Sequence, residues 1–226
     1  MKKSILLAVL ISGSAMADQA SVDAIEQASM QLNQTQLIQL AEQTSGYDQA
    51  LAHYRLAIAQ NLNANTSAAE SSLDEAMEKL EAMTEQDPEN AEAWTLLAQV
   101  YGYKISFSPM KAVYYGPKSG EALSKAYNLA PNNPRVHLVK AVSEYNSPAM
   151  FGGSKKAAVA SLDKAIELFV SDSATGTQWG HAEAYVWRGL AKLSLDENDA
   201  AITDFEQAIE LEPDYGWPKF LISQNK

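Results

Sequence analysis

The sequence contains no cysteine in 226 residues. That excludes disulfide staples, thiolate metal sites, cysteine nucleophiles and lipid attachment through an N-terminal cysteine. Histidine is scarce, and His53, His137 and His181 show no His-x3-His or glutamate-flanked zinc pattern. Neither a Gly-x-Ser-x-Gly elbow nor a Gly-Lys-Ser/Thr phosphate loop occurs. Gly152-Gly153 lacks the third glycine and the preceding strand of a dinucleotide fingerprint. No metal and no cofactor is expected, and no catalytic residue is assigned.

Positive charge is also short, at 17 Lys and Arg against 28 Asp and Glu, a net of −11. An acidic chain without a basic stripe is a poor partner for nucleic acid, and anionic lipid is disfavoured for the same reason. Its one apolar run, residues 5–11, is well below the roughly 20 residues that cross a bilayer, so no membrane insertion is expected. That run follows Lys2-Lys3 and precedes Ala15-Met16-Ala17, the order of a secretory signal peptide with its cleavage site. Residues 1–17 are therefore expected to be removed on export, taking the charge from −11 to −13 through loss of Lys2 and Lys3. In a Gram-negative source the compartment would be the periplasm.

What the sequence has in plenty is alanine and helical periodicity. Apolar residues recur at helix spacing almost throughout, and alternation of β-branched with polar residues is missing. Proline and glycine fall between the periodic segments and mark turns. The segments read as helices over residues 22–43, 47–62, 67–86, 91–103, 118–129, 134–145, 154–170, 181–195 and 199–211. A short helix begins near Trp217-Pro218, and residues 106–117 read as irregular. Either Asn198 or Asp199 is expected to cap the helix that follows it.

The clearest repeating unit combines Tyr185, Gly189, Ala201, Phe205, Ala208 and Pro213. Small residues stand where helices approach closely, an aromatic lies between them, and proline stops the second helix. Trp94-x2-Leu97-Ala98-x2-Tyr101 begins a second unit, continued by Ser119, Leu123, Ala126 and Pro131 after about nine extra residues. Ala158-x3-Leu162-x2-Ala165 marks a third. Ala50-x3-Tyr54-x2-Ala57 and Ala76-x3-Leu80-x2-Met83 lie too close together to be second helices of neighbouring repeats, so they pair as one.

These spacings resemble the tetratricopeptide family, in which a helix pair repeats about every 34 residues. The resemblance implies an all-α, right-handed superhelix, an α-solenoid of stacked antiparallel helix pairs. It divides the chain into a signal peptide (1–17), an N-terminal capping helix (18–46), about four repeats (47–215) with an insertion near 104–117, and a C-terminal cap (216–226). It implies a non-catalytic scaffold that holds a protein or peptide in a concave groove. Carried onto matching positions, the groove would include Glu92, Thr95, Gln99, Glu183, Val186 and Leu190. Divergent end helices of repeat proteins cap the stack or dimerise, so a homo-oligomer stays open.

A second reading starts from the insertion. Tyr103, Lys104, Phe107, Tyr114 and Tyr115, with Lys111 and Lys118 nearby, would form a ligand lip for a partner or a small anion. The bland alternative is that these aromatics fill a gap in the core. The connection at 148–153, with Phe151 expected to anchor it in the core, resembles a turn of exported repeat proteins that accompany solute-binding proteins of transporters. Acid groups such as Glu75, Glu78 and Glu81, or Asp196, Glu197 and Asp199, leave a carboxylate-based hydrolase as a third reading. At those spacings acids more commonly form a solvated helix face or complement a helix N-terminus.

Overall fold

The computed structural model describes residues 17–173 and 176–225; apart from Ala17, the expected signal peptide lies outside them. Eleven α-helices form among the described residues. They are α1 (Gln19–Met30), α2 (Gln34–Gln43), α3 (Gly46–Leu62), α4 (Thr66–Gln86), α5 (Ala91–Ser106), α6 (Ala112–Leu129), α7 (Pro134–Asn146), α8 (Lys155–Phe169), α9 (His181–Leu193), α10 (Asn198–Leu211) and α11 (Gly216–Asn225). Neighbours in sequence pack as antiparallel pairs, α1/α2 through α9/α10, and α11 closes the stack against α10. The all-α solenoid of stacked helix pairs is thus the architecture observed. None of the described helices is long and apolar enough to cross a membrane.

The helices start where side chains replace missing backbone partners. Asn33, Asn65, Asn90 and Asn133 each accept a backbone N–H from the first turn of α2, α4, α5 and α7, and Ser154 does so for α8. Helix α10 begins without such a bond: Glu197 is its N-cap residue and makes no side-chain cap. The expected capping by Asn198 or Asp199 is therefore not what forms, because the preceding turn already places both inside the helix.

Where one helix was expected over residues 22–43, two form. Leu32 adopts a left-handed φ of 53° and the Asn33 N–H reaches back to the Ala28 carbonyl at 2.9 Å. The α3–α4 turn repeats this, with Ala64 at 60° and Asn65 N–H on the Gln60 carbonyl. The α9–α10 turn does so again, with Asp196 at 63° and Glu197 N–H on the Lys192 carbonyl. All three are Schellman turns, so α1/α2 is a short helix pair built like the last one.

The α5–α6 and α7–α8 turns are longer. A 3-10 turn, Pro109–Lys111, leads directly into α6, so the stretch expected to be irregular up to 117 is mostly helical. Pro117 lies inside α6. It is the sixth residue of that helix, past the first turn, so the bond an N–H there would make to the Val113 carbonyl is missing. The second long turn contains Ala149–Phe151, also 3-10, with Gly152 at φ 88°. A Cβ on Gly153 would lie 1.7 Å from the Ser147 carbonyl oxygen, so only glycine lets the chain double back there.

Candidate functional site

The first helices of the pairs, α1, α3, α5, α7 and α9, form the inner wall. In an open solenoid that wall faces a groove. Here it closes on itself. Val22 and Ile25 from α1, Leu51 and Tyr54 from α3, Leu97 from α5, Leu138 from α7 and Ala184 from α9 share one buried core. Tyr47 on α3 accepts a hydrogen bond from Trp179 Nε1 at 2.8 Å, just before α9.

At its centre lies Arg55, 4% exposed. Its guanidinium donates to both oxygens of Glu26 on α1, at 2.7 and 2.9 Å, and to Glu183 on α9 at 2.8 Å. The two glutamates hold Arg55 well above the usual arginine range, against the effect of its burial. Burial pushes Glu26 up and Arg55 pulls it back.

All three arginines of the chain are used in this way. Arg135 on α7 is clasped by Glu92 of α5 and by Asp172 after α8. Arg188 on α9 joins Asp163 of α8 to Asp204 of α10. Planar, permanently charged guanidinium suits such two-sided bridging better than lysine does.

These bonds decide the fate of the six residues expected to line a groove. Thr95 and Val186 are fully buried, and Thr95 hydrogen-bonds the Ala91 carbonyl within α5. Glu183 is the buried partner of Arg55. Glu92 is committed to Arg135 and Asn133. Gln99 donates to the Tyr54 hydroxyl at 2.9 Å. Leu190 is half-buried against the apolar cluster of the last pair. The six do not line a shared open surface, because the inner helices meet before a groove can form.

The expected lip divides in two. Tyr103 is half-buried, hydrogen-bonded to Asn61 and edge-packed on Tyr54 and Phe107. Lys104 is buried and paired with Asp74. Tyr115 stacks on Tyr101 at 5.8 Å. These residues fill the structure. Tyr114, in contrast, is exposed, as are Met110 and Val113, the latter two at 84%. Lys111 and Lys118 pair with Glu70 and Glu81 of α4. With Lys104 on Asp74, each of the three lysines has a carboxylate, so a small anion finds no excess positive charge here.

A surface missed by the sequence reading becomes visible through the topology. Every turn inside a pair lies on the same edge of the stack. The Asn61–Tyr103 bond ties the ends of α3 and α5, and Tyr145 meets Ser194 between the ends of α7 and α9. On this edge stand Leu62, Met110, Val113, Tyr114, Met150 and Phe151, all exposed. Phe151, expected in the core, is 72% exposed. Its 3-10 turn projects it outward instead of folding it under. The available signal was apolar residues in turn segments, where polar ones are the rule.

A cavity of about 480 Å³ opens between α1 and the last helix pair. Asp23, Glu26, Trp179, His181, Glu212 and Asp214 are among its lining residues. Burial, then Asp23 and Asp214, push the Glu212 carboxyl up, and burial pushes His181 down. The three histidines stand on α3, α7 and α9; His137 Nε2 lies 2.8 Å from the Pro131 carbonyl oxygen.

Residues 182–215, spanning α9, α10 and the turn after them, match the tetratricopeptide repeat model. This hairpin is a tetratricopeptide repeat. Its hallmark contact is Gly189 against Phe205, where a Cβ would approach the ring to 2.4 Å. The fold around the repeat is also that of tetratricopeptide proteins. A thermophilic tetratricopeptide protein from Thermus thermophilus superposes with a TM-score of 0.58 at 17% identity, covering 91% of this chain and 95% of its own. The HusA haemophore from Porphyromonas gingivalis gives 0.52 at 22% identity, covering 78% and 94%. At these identities the likeness concerns the fold. Comparison with curated protein sequences finds no match.

Proposed function

We propose that this protein is an exported, non-catalytic tetratricopeptide scaffold that binds a protein partner along its turn edge. The repeat fold supports the scaffold role, and tetratricopeptide proteins generally bind proteins. The observation that carries the location is the row of exposed apolar side chains on successive turns, Met110, Val113, Tyr114, Met150 and Phe151, while the inner face is filled by its own helices. Large apolar side chains left exposed on turns, where polar residues are the rule, support an interaction site here. With Lys104, Lys111 and Lys118 matched by carboxylates, the edge is apolar and near neutral within an acidic protein. It suits a partner that offers aliphatic or aromatic side chains to a shallow surface. Export rests on Lys2-Lys3, the apolar run and Ala15-Met16-Ala17.

The test is capture of partners from extract by wild-type protein and by a Val113→Asp/Phe151→Asp variant. The proposal expects recovered partners to be lost while circular dichroism and melting stay unchanged. Retention of every partner by the edge variant, with loss on Gln99→Arg/Leu190→Arg, would return the binding site to the inner face.

The cavity supports a second reading, carriage of a small ligand. The carboxylates among its lining residues favour an organic cation as that ligand. Native mass spectrometry of freshly exported protein decides it: a stoichiometric low-mass adduct supports this reading, and the bare chain mass contradicts it.

A further inference from the structure

The bond expected to be cut on export, Ala17–Asp18, lies one residue before α1. At that point the Asp18 backbone N–H donates to Asp48 Oδ2 at 3.0 Å. Asp48 stands in the first turn of α3 and is 5% exposed. Its other oxygen, Oδ1, is buried and has no hydrogen-bond partner among the described residues. Burial, first, and the Asp18 carboxylate push the Asp48 carboxyl up, while the Asp18 amide pulls it down. A buried carboxylate with one neutral donor for two oxygens is poorly matched, since buried polar atoms nearly always find partners.

We propose that Asp48 is the receptor for the α-ammonium group that cleavage creates on Asp18. This rests on residues 1–17 being a signal peptide. Hydrolysis of the Ala17–Asp18 amide by a signal peptidase consumes one water. The C–N bond breaks, Ala17 leaves with a carboxylate, and the amine of Asp18 takes the proton to become an ammonium. One neutral donor facing Asp48 is thereby replaced by a positive group with three N–H donors. One can keep the bond to Oδ2 and a second can serve Oδ1.

The exchange also answers a difficulty at α1. A positive charge at a helix N-terminus opposes the helix dipole. Two carboxylates face it here, those of Asp48 from α3 and of Asp18 itself, the latter held by Ser21 Oγ at 3.1 Å. Opposite charge this close favours the ionised form of both partners. The processed chain therefore gains a lock between α1 and α3 that the precursor lacks.

The experiment uses the processed protein purified from the exported fraction. Intact mass first reports the cut. A chain beginning at another residue overturns the signal-peptide reading, and the proposal with it, by a result separate from those below. With Asp18 at the terminus, its α-amine is titrated by NMR. The expected pKa lies above the ordinary range of about 7.7–8.0, and Asp48→Asn returns it to that range. An amine with an ordinary pKa in wild type, or one equally raised in Asp48→Asn, overturns the proposal. Should Asp48→Asn fail to fold, melting of processed wild type is compared with that of the full chain retained by blocked export. A higher midpoint after processing supports the lock, and equal midpoints overturn it.

Discussion

The Arg55 guanidinium donates to the Glu183 carboxylate at 2.8 Å, joining residues 128 positions apart in the chain. The bond spans from the second inner helix to the fifth, α3 to α9, and draws the inner wall together. Removing Arg55 leaves two carboxylates buried without compensation, whereas removing Glu183 leaves Arg55 paired with Glu26 alone. Arg55→Met abandons both Glu26 and Glu183, and a loss of about 3–5 kcal/mol is expected. Urea denaturation measures it. The triple change Glu26→Gln/Arg55→Met/Glu183→Gln, which removes all three charges, is expected to recover much of that loss.

Gly189→Ala tests the repeat contact. Its Cβ would meet the Phe205 ring at 2.4 Å, and Phe205 is fully buried. Overpacking of this kind destabilises by about 1–3 kcal/mol. Differential scanning calorimetry should show a lowered midpoint, partly restored by Phe205→Leu in the same chain.

Gly120 gives the opposite sign. It lies within α6 with nothing within 4 Å of an added Cβ. Gly120→Ala removes backbone freedom from the unfolded chain and is expected to stabilise by about 0.5–1 kcal/mol. Denaturant melts of the two proteins check this.

His181 contributes pH dependence. Burial holds it below the ordinary value of 6.5. As pH falls below that value, the unfolded chain takes up a proton that the folded chain still refuses. Stability is therefore lost on acidification through this window and is fully present above it. His181→Gln is expected to flatten the fall in melting temperature below pH 6.5, and His53, also held down by burial, contributes in the same direction.

Much of the architecture was legible because it is local. Small residues at Gly189, Ala201 and Ala208 with Phe205 between them announce a helix pair, and proline and glycine announce its ends. Leu32 was not legible: the Gln31-Leu32-Asn33 turn contains neither glycine nor proline, and its left-handed residue is leucine. Residues 112–117 were misread because Gly116-Pro117 near a helix start looks like a loop. The closed inner wall was beyond any local pattern. Glu92, Gln99 and Glu183 occupy groove positions of an open superhelix, and only the pitch of the stack brings Arg55 onto Glu183. The apolar edge was hidden likewise, since Leu62, Val113 and Phe151 share it only through the parallel alignment of successive pairs.

A double-mutant cycle on Arg55→Met and Glu183→Gln tests most directly whether the inner helices meet across the stack. Residues in contact couple by about 0.5–3 kcal/mol, whereas distant ones add independently. A coupling energy in that range, measured by urea denaturation, is the predicted result. Additive losses would mean that α3 and α9 stand apart and that the groove is open.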